Sequence, residues 1–295
     1  MFLAEDPRVP GVKRLSNRDG FPRPWVGVLA ALHGDEPCGL IAHRHILEQA
    51  QAGTFGLSAG TLVLIEANQA AAKLERRHTP TGDDLNRICD LAFEESLAPE
   101  RWGYEHHRAI ELAPVLDGLD AALDLHSASA PTVPFAVAMP GALEIAKALG
   151  VRWVTHGWDE ASDIAEGVAI ARVARLGRPA AAVECGQHRD PSAADVALKV
   201  IARFLAHLGL WNQHVDAGET ARVLRVFASL PKPSHEFRFA QPIQGFEPVR
   251  EGQLLGRGED DLRCPASGIA VLPNDRVPQG KNLVYLAREE DEGAR

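Results

Sequence analysis

Short apolar runs alternate with longer amphipathic stretches over the first two thirds of the chain. Residues 26–32 (VGVLAAL) and 61–67 (TLVLIEA) are near-continuous apolar segments of strand length. Such runs mark strands buried on both faces, as in a sheet covered by helices. Residues 121–125 (AALDL), 134–139 (PFAVAM) and 180–183 (AAAV) repeat the signal. Residues 37–51, 142–149 and 192–208 predict helices, and residues 88–116 contain further helical material. Pro37 suits a first helical turn, where a missing N–H costs nothing, and Gly53 ends that helix. In residues 192–208 the apolar side is expected from Ala194, Val196, Leu198, Val200, Ile201, Phe204 and Leu205. Residues 1–22 are polar and broken by Gly and Pro, which predicts an arm or a short leading strand. The alternation of strand and helix predicts an α/β domain with a mostly parallel sheet.

Beyond Gly218 the pattern changes. Residues 221–227, 269–272 and 283–286 are short apolar runs separated by Gly, Pro and Asp turns. This predicts a small all-β domain, so the expected organisation is a catalytic domain over 1–217 and a β domain over 218–295. No low-complexity linker lies between them, so the small domain is expected to dock on the large one.

Composition narrows the function classes. The chain has 295 residues, 45% of them apolar, enough for a large core. No uncharged apolar run reaches the roughly 18 residues of a membrane span, and the first residues lack the basic start of a signal peptide. Cys38, Cys89, Cys185 and Cys264 lie far apart, which suits free thiols in a reducing cytoplasm. A net charge of -9 without a basic stripe argues against nucleic acid. An anionic substrate must then be held by local arginines.

The candidate chemistry lies at the ends of the apolar runs. His33, His126 and Glu184 each follow one directly. In an open α/β sheet, ligands bind in the crevice beyond the carboxyl ends of the strands. Two histidines and a glutamate form a catalytic zinc set that leaves a fourth position for water, and a second carboxylate can take the proton. We therefore assign His33, Glu36 and His126 to the metal and Glu184 to the base. A single H-x-x-E pair is a weak signal, and His126 alone could be a core histidine. Their joint occurrence at strand ends carries the assignment.

The polar connection over residues 68–87 is too long for an idle loop. It holds Arg77-His78-Thr79-Pro80 and Asp83-Asp84-Leu85-Asn86-Arg87. A guanidinium grips a carboxylate through two parallel charge-assisted hydrogen bonds. Asn86 and Arg87 are candidates for that role, and Arg77 could face a developing oxyanion.

The succession H-G-D-E (33–36), D-L-N-R (84–87), D-L-H (124–126) and V-E-C-G (183–186) resembles the succinylglutamate desuccinylase and aspartoacylase family. That family is a branch of the zinc carboxypeptidase superfamily, and the resemblance spans about residues 26–186. It implies a mixed, mostly parallel central sheet flanked by helices, and one zinc ion per chain on His33, Glu36 and His126. It further implies Glu184 as general base and proton shuttle, Asn86 and Arg87 on the substrate carboxylate, and Arg77 polarising the scissile carbonyl. Asp84 would orient His33, as carboxylates behind zinc-bound imidazoles do. Arg76 is the alternative to Arg77, which the R-x-[ST]-P pattern favours. Asn68-Gln69 departs from the Asn-Pro of many relatives. Cys185 and His188 acquire no role, and His188, with His43, His45, His78, His106 and His107, is expected to be structural or solvated.

Residues 246–288 resemble the β-sandwich appendage of bacterial family members, itself similar to lipoyl carriers. No lysine lies between Lys232 and Lys281, which excludes a swinging arm. The region is expected to wall the active-site mouth or to form a homo-oligomer surface, with Tyr285 as a core aromatic or a substrate contact. The whole implies a cytoplasmic zinc hydrolase that cleaves the amide of a small anionic N-acyl amino acid or similar carboxylate. A metallocarboxypeptidase acting on short peptides is the alternative. A metal-binding regulatory protein without activity is disfavoured, because the base, the ligands and both arginine motifs are all present.

Overall fold

The apolar runs pair side by side to form the centre of a computed structural model, which describes residues 1–161, 167–211 and 213–290. The first strands are β1 (Phe2–Glu5), β2 (Val12–Ser16), β3 (Trp25–Ala30), β4 (Thr61–Glu66) and β5 (Ala121–Ala128). They are followed by β6 (Phe135–Ala138), β7 (Trp153–His156), β8 (Ala180–Gln187), β9 (Arg222–Pro231) and β10 (Arg238–Phe239). The last five are β11 (Pro248–Val249), β12 (Leu254–Arg257), β13 (Asp261–Arg263), β14 (Gly268–Val271) and β15 (Asn282–Glu289). The helices are α1 (Cys38–Gln51), α2 (Gln69–Lys73), α3 (Phe93–Ser96), α4 (Tyr104–Gly118), α5 (Leu143–Ala148), α6 (Trp158–Ala161), α7 (Ala169–Arg175) and α8 (Ser192–His207).

Among the described residues, twelve strands form one sheet in the order β1-β2-β4-β3-β5-β8-β6-β7-β9-β15-β14-β11. The four central strands β4, β3, β5 and β8 are parallel. β6 runs antiparallel to β8, which makes the sheet mixed. Residues 1–22 supply a hairpin, β1–β2, whose second strand lies antiparallel on β4.

Helices cover both faces. On one, α1, α5 and α8 pack on Val26, Val28, Leu123, Leu125 and Val183. On the other, α4 and α7 pack on Leu29, Val63, Ile65, Ala122 and Ala182. The two-residue strand period assigns each side chain its face. The core stripe of α8 is Ala193, Ala197, Val200, Ile201, Phe204 and Leu205. Ala193 and Ala197 take the place of the expected Ala194 because they share the i, i+3/i+4 face of Val200, Ile201 and Phe204, while Val196 and Leu198 flank it half-buried. The helical material of residues 88–116 is three pieces, α3, a 3-10 turn (Pro99–Arg101) and α4. β7 and α7 are short and interrupted by polar side chains, and they escape a pattern-based assignment.

The strands after Gly218 continue the same sheet, since β9 lies parallel to β7. A second sheet of β10, β12 and β13 packs on β14 and β15 through Phe237, Leu255, Ala270, Val284 and Leu286. Phe135, Trp158, Val226, Phe246 and Tyr285 form a shared core that ties this β region to the α/β part. Among the described residues, no helix is long and apolar enough to cross a membrane.

Candidate active site

The carboxyl ends of β3, β5 and β8 are adjacent, so the chemistry-bearing residues meet there. His126 and Glu184 are direct neighbours across the β5–β8 ladder. By strand alternation they share a side with Asp124 and Ala182, while Cys185 turns to the opposite face among α1 and α8. After β3 the chain turns sharply. Ala31 takes a left-handed φ of 53°, unusual for a residue with a Cβ, and this reversal leads into His33. Gly34 follows because a Cβ there would lie 2.1 Å from the backbone carbonyl carbon of Ala71. Gly34→Ala should therefore destabilise the protein by about 1–3 kcal/mol through overpacking; a melting temperature within a degree of wild type would contradict this.

His33, Glu36 and His126 form a compact cluster, with candidate ligand atoms all within 4.8 Å of one another. Both imidazoles turn Nδ1 towards Glu36, His33 to Oε1 at 2.7 Å and His126 to Oε2 at 2.9 Å. The opposite nitrogens face aspartates: His33 Nε2 lies 3.1 Å from Asp84 and His126 Nε2 2.7 Å from Asp124. The Ser127 N–H also donates to Glu36 Oε2. All three clustered residues are buried. A carboxylate behind each imidazole fixes its tautomer and raises its basicity, the arrangement of zinc-ligating histidines. The donor set therefore fits a divalent cation.

Electrostatics support the same conclusion. Burial alone would lower the pKa of His33, but Glu36 and Asp84 outweigh it and raise it. Burial acts likewise on His126, and Asp124 and Glu36 raise it well above the ordinary value. Burial would push the Glu36 carboxyl up, yet the two histidines hold it well below the usual range. Without a cation, protons on the imidazoles neutralise the carboxylates, and a divalent cation would displace them.

Glu184 is the exception. Its Oε2 is shielded from solvent and has no hydrogen-bond partner among the described residues. Burial and then the negative charge of Glu36 push its pKa up to about 7. An unpaired carboxyl titrating near neutrality beside a cation site is suited to proton transfer.

The arginines surround this cluster. Arg77 Nε and Nη2 both donate to Asp84 Oδ2, at 3.1 and 2.7 Å, so Arg77 and His33 hold the same aspartate from opposite sides. Arg76 and Arg77 are both exposed, and Arg77 is the one held against Asp84. Asn86 accepts the Ala169 N–H on its Oδ1 and presents Nδ2 to His126 at 3.4 Å. Arg87 is half-buried and donates to the Asn86 carbonyl at 2.5 Å. Gly167 lets this turn sit close, because a Cβ there would lie 2.0 Å from the Arg87 carbonyl oxygen. Tyr285 is 4% exposed, receives the Asn282 amide at 2.7 Å and meets Trp158 edge-on. It also sits close enough to Arg87 for their charges to interact. Tyr285 is thus a core aromatic whose hydroxyl is held by Asn282.

Three further residues belong to the site. Asp124 was signalled by a lone charge inside the apolar run AALDL, two positions before His126. Buried Glu105 accepts the Thr79 N–H and hydroxyl at 2.7 and 2.9 Å and so anchors the loop that carries Arg77. His188, expected to be structural or solvated, places Nδ1 2.9 Å from the Ser127 hydroxyl, beside Glu36. No local pattern marks Glu105 or His188. Cys185 is buried, and contact with the Cys38 thiol together with burial pushes its pKa well up, which does not suit a nucleophile. Asp84→Asn and Asp124→Asn should each weaken metal binding by about 10–100-fold. Competition against a zinc chelator tests this, and unchanged affinity in both would refute the orienting roles.

Residues 22–208 match the family model described as the succinylglutamate desuccinylase/aspartoacylase catalytic domain. Among solved structures, a succinylglutamate desuccinylase/aspartoacylase from Rhodobacter sphaeroides superposes with a TM-score of 0.73 at 19% identity, covering 95% of this chain and 89% of that one. The product-bound ectoine utilization protein EutE (DoeB) from Ruegeria pomeroyi gives a TM-score of 0.74 at 19% identity, with 94% and 88% coverage. The succinylglutamate desuccinylase from Chromobacterium violaceum gives 0.72 at 20% identity, with 97% and 90% coverage. No curated protein matches the chain. At such identities the superpositions establish a common fold.

Proposed function

The chain belongs to the succinylglutamate desuccinylase/aspartoacylase family of hydrolases, and on that premise we propose that it is a zinc-dependent deacylase of an N-acyl amino acid or similar small carboxylate. The observation that carries the proposal is the unpaired Glu184 carboxyl, opposite His126 on the neighbouring strand and beside the His33–Glu36–His126 cluster.

His33 and His126 through Nδ1, and Glu36 through its carboxylate, would hold the ion, with Asp84 and Asp124 fixing the imidazoles. A bound zinc ion supplies Lewis acidity to the scissile carbonyl and to the attacking water. Arg87 and the Asn86 amide nitrogen hold the substrate carboxylate. Arg77, anchored through Nε and Nη2, offers its remaining Nη1 to the oxyanion that forms as water adds. Glu184 takes the proton from the attacking water and passes it to the leaving amine, which completes the cleavage.

Arg87→Ala should raise KM by about 10–100-fold, the equivalent of one charge-assisted hydrogen bond, and change kcat less. Release of free amine from a panel of N-acetyl and N-succinyl amino acids would test the reaction. Turnover of short peptides with none of the N-acyl amino acids would overturn the substrate assignment in favour of a carboxypeptidase.

A further inference from the structure

Glu105 lies in the first turn of α4 and is completely buried, away from the metal cluster and the substrate arginines. Its Oε1 accepts the Thr79 N–H at 2.7 Å and the Asn68 amide at 3.2 Å, and its Oε2 accepts the Thr79 hydroxyl at 2.9 Å. All three donors are neutral. A charge taken out of water onto neutral donors is a poor source of stability, and the helix N-terminus offsets only part of the cost. What the arrangement supplies is position.

The position it fixes is that of residues 74–84, the segment after α2. Asn68 caps α2, its Oδ1 accepting the Ala71 N–H at 3.0 Å, so one carboxylate ties the start of that helix to the turn at Thr79. Gly82 seats against the same group, because a Cβ there would lie 1.7 Å from Glu105 Oε2. Arg77 stands between these ties, and its carbonyl accepts the Gly34 N–H beside His33 at 3.4 Å. The Arg77 side chain is exposed, so packing does not fix it. Asp84 grips Nε and Nη2, and the backbone beneath decides where Nη1 points. Asp84 has separate support: its Oδ1 accepts the Asn86 N–H, and His106 Nε2 lies 3.4 Å from the adjacent Asp83. Glu105 therefore acts on the Arg77 side of the segment.

We infer that Glu105 is a positioning residue for hydrolysis: it holds the Thr79 turn so that Arg77 reaches the oxyanion, and it touches neither substrate nor metal. The inference rests on the proposed role of Arg77 at the scissile carbonyl. Displacing a reacting or stabilising group by about 1 Å can cost on the order of 10²-fold in rate, comparable to the loss of one oxyanion donor.

The test is a double-mutant cycle in zinc-loaded full-length protein, with the best substrate of the N-acetyl and N-succinyl amino acid panel. Glu105→Leu should lower kcat by about 10–100-fold, with KM and zinc content within about threefold of wild type. In an Arg77→Ala background the same change should cost less than about threefold. Glu105→Gln keeps one oxygen for the two N–H donors and turns its amide to the Thr79 hydroxyl, so kcat should return to within about threefold of wild type. Amide exchange in the metal-free protein gives a reading independent of turnover: Thr79 should exchange at least about tenfold faster in Glu105→Leu and not in Glu105→Gln. If Glu105→Leu does not fold, Thr79→Val decides, with an expected loss in kcat of about 3–10-fold that disappears without Arg77. Equal losses with and without Arg77, or wild-type kcat in a folded Glu105→Leu or in Thr79→Val, would overturn the positioning role. If Arg77→Ala alone leaves kcat unchanged, the oxyanion role of Arg77 fails and the inference falls with it.

Discussion

Glu184→Gln is expected to lower kcat by about 10²–10⁴-fold, the usual contribution of a positioned general base. Zinc content and KM should stay close to wild type. Gln is nearly isosteric, and Glu184 Oε2 makes no hydrogen bond that the substitution would break. The variant removes only the ability to accept a proton. Steady-state rates with zinc analysis of the same sample test this, and a kcat within threefold of wild type would remove Glu184 from the mechanism. The pH dependence follows from the same group. Its protonated form cannot act as a base, so kcat/KM should fall as the pH drops through its pKa. Without a cation that value is about 7, set by burial and then by Glu36. A nearby divalent cation favours the carboxylate, so the acid limb of the zinc-loaded protein should lie below 7. The limb should vanish in Glu184→Gln.

His126→Ala should abolish hydrolysis and metal binding, and it should also destabilise the metal-free protein by about 3–5 kcal/mol, the penalty for stranding a buried charge. Glu36 and Asp124 both rely on this imidazole, and both are almost inaccessible to water. Denaturant unfolding of the chelated variant tests the stability effect, and a loss below 1 kcal/mol would show that the cluster is not strongly coupled. The pH dependence of metal-free wild type has a definite sign. His33 and His126 have raised pKa values, so their stabilisation is complete below 6.5 and is lost as the pH rises through the raised values. Glu184, also raised, loses its contribution from 4.5 through about 7. Chelated protein should therefore weaken as the pH rises past 6.5. Zinc should offset this progressively, because its ligands must be deprotonated.

The two predictions depend on information of different origin. Much of the fold was legible in the chain, because strands buried on both faces must be apolar throughout. The runs before His33, through His126 and before Glu184 announced three central strands and their carboxyl ends. The candidate metal cluster was legible for the same reason, because polar residues placed directly after such runs have little structural purpose there, and the fold brings His33, Glu36 and His126 together. The order of the motifs then gave Asn86, Arg87, Arg77 and Asp84 their expected roles.

Other features required the folded chain. Strand order is set by pairing energies that no local pattern encodes. Only the adjacency of β5 and β8 makes His126 and Glu184 neighbours, and only the pairing of β7 with β9 joins the residues beyond Gly218 to the same sheet. The raised pKa of Glu184 arises from burial and from Glu36, 148 positions away in the chain (184 minus 36), so sequence could nominate the base but could not tune it. Glu105 and His188 look like ordinary surface residues until the fold brings them to Thr79 and to Ser127. The sequence by itself nominated candidate side chains and the strand ends on which they stand. The tertiary structure decided their distances, their charges and their partners, because burial and Coulomb interactions depend on separation in space and not along the chain.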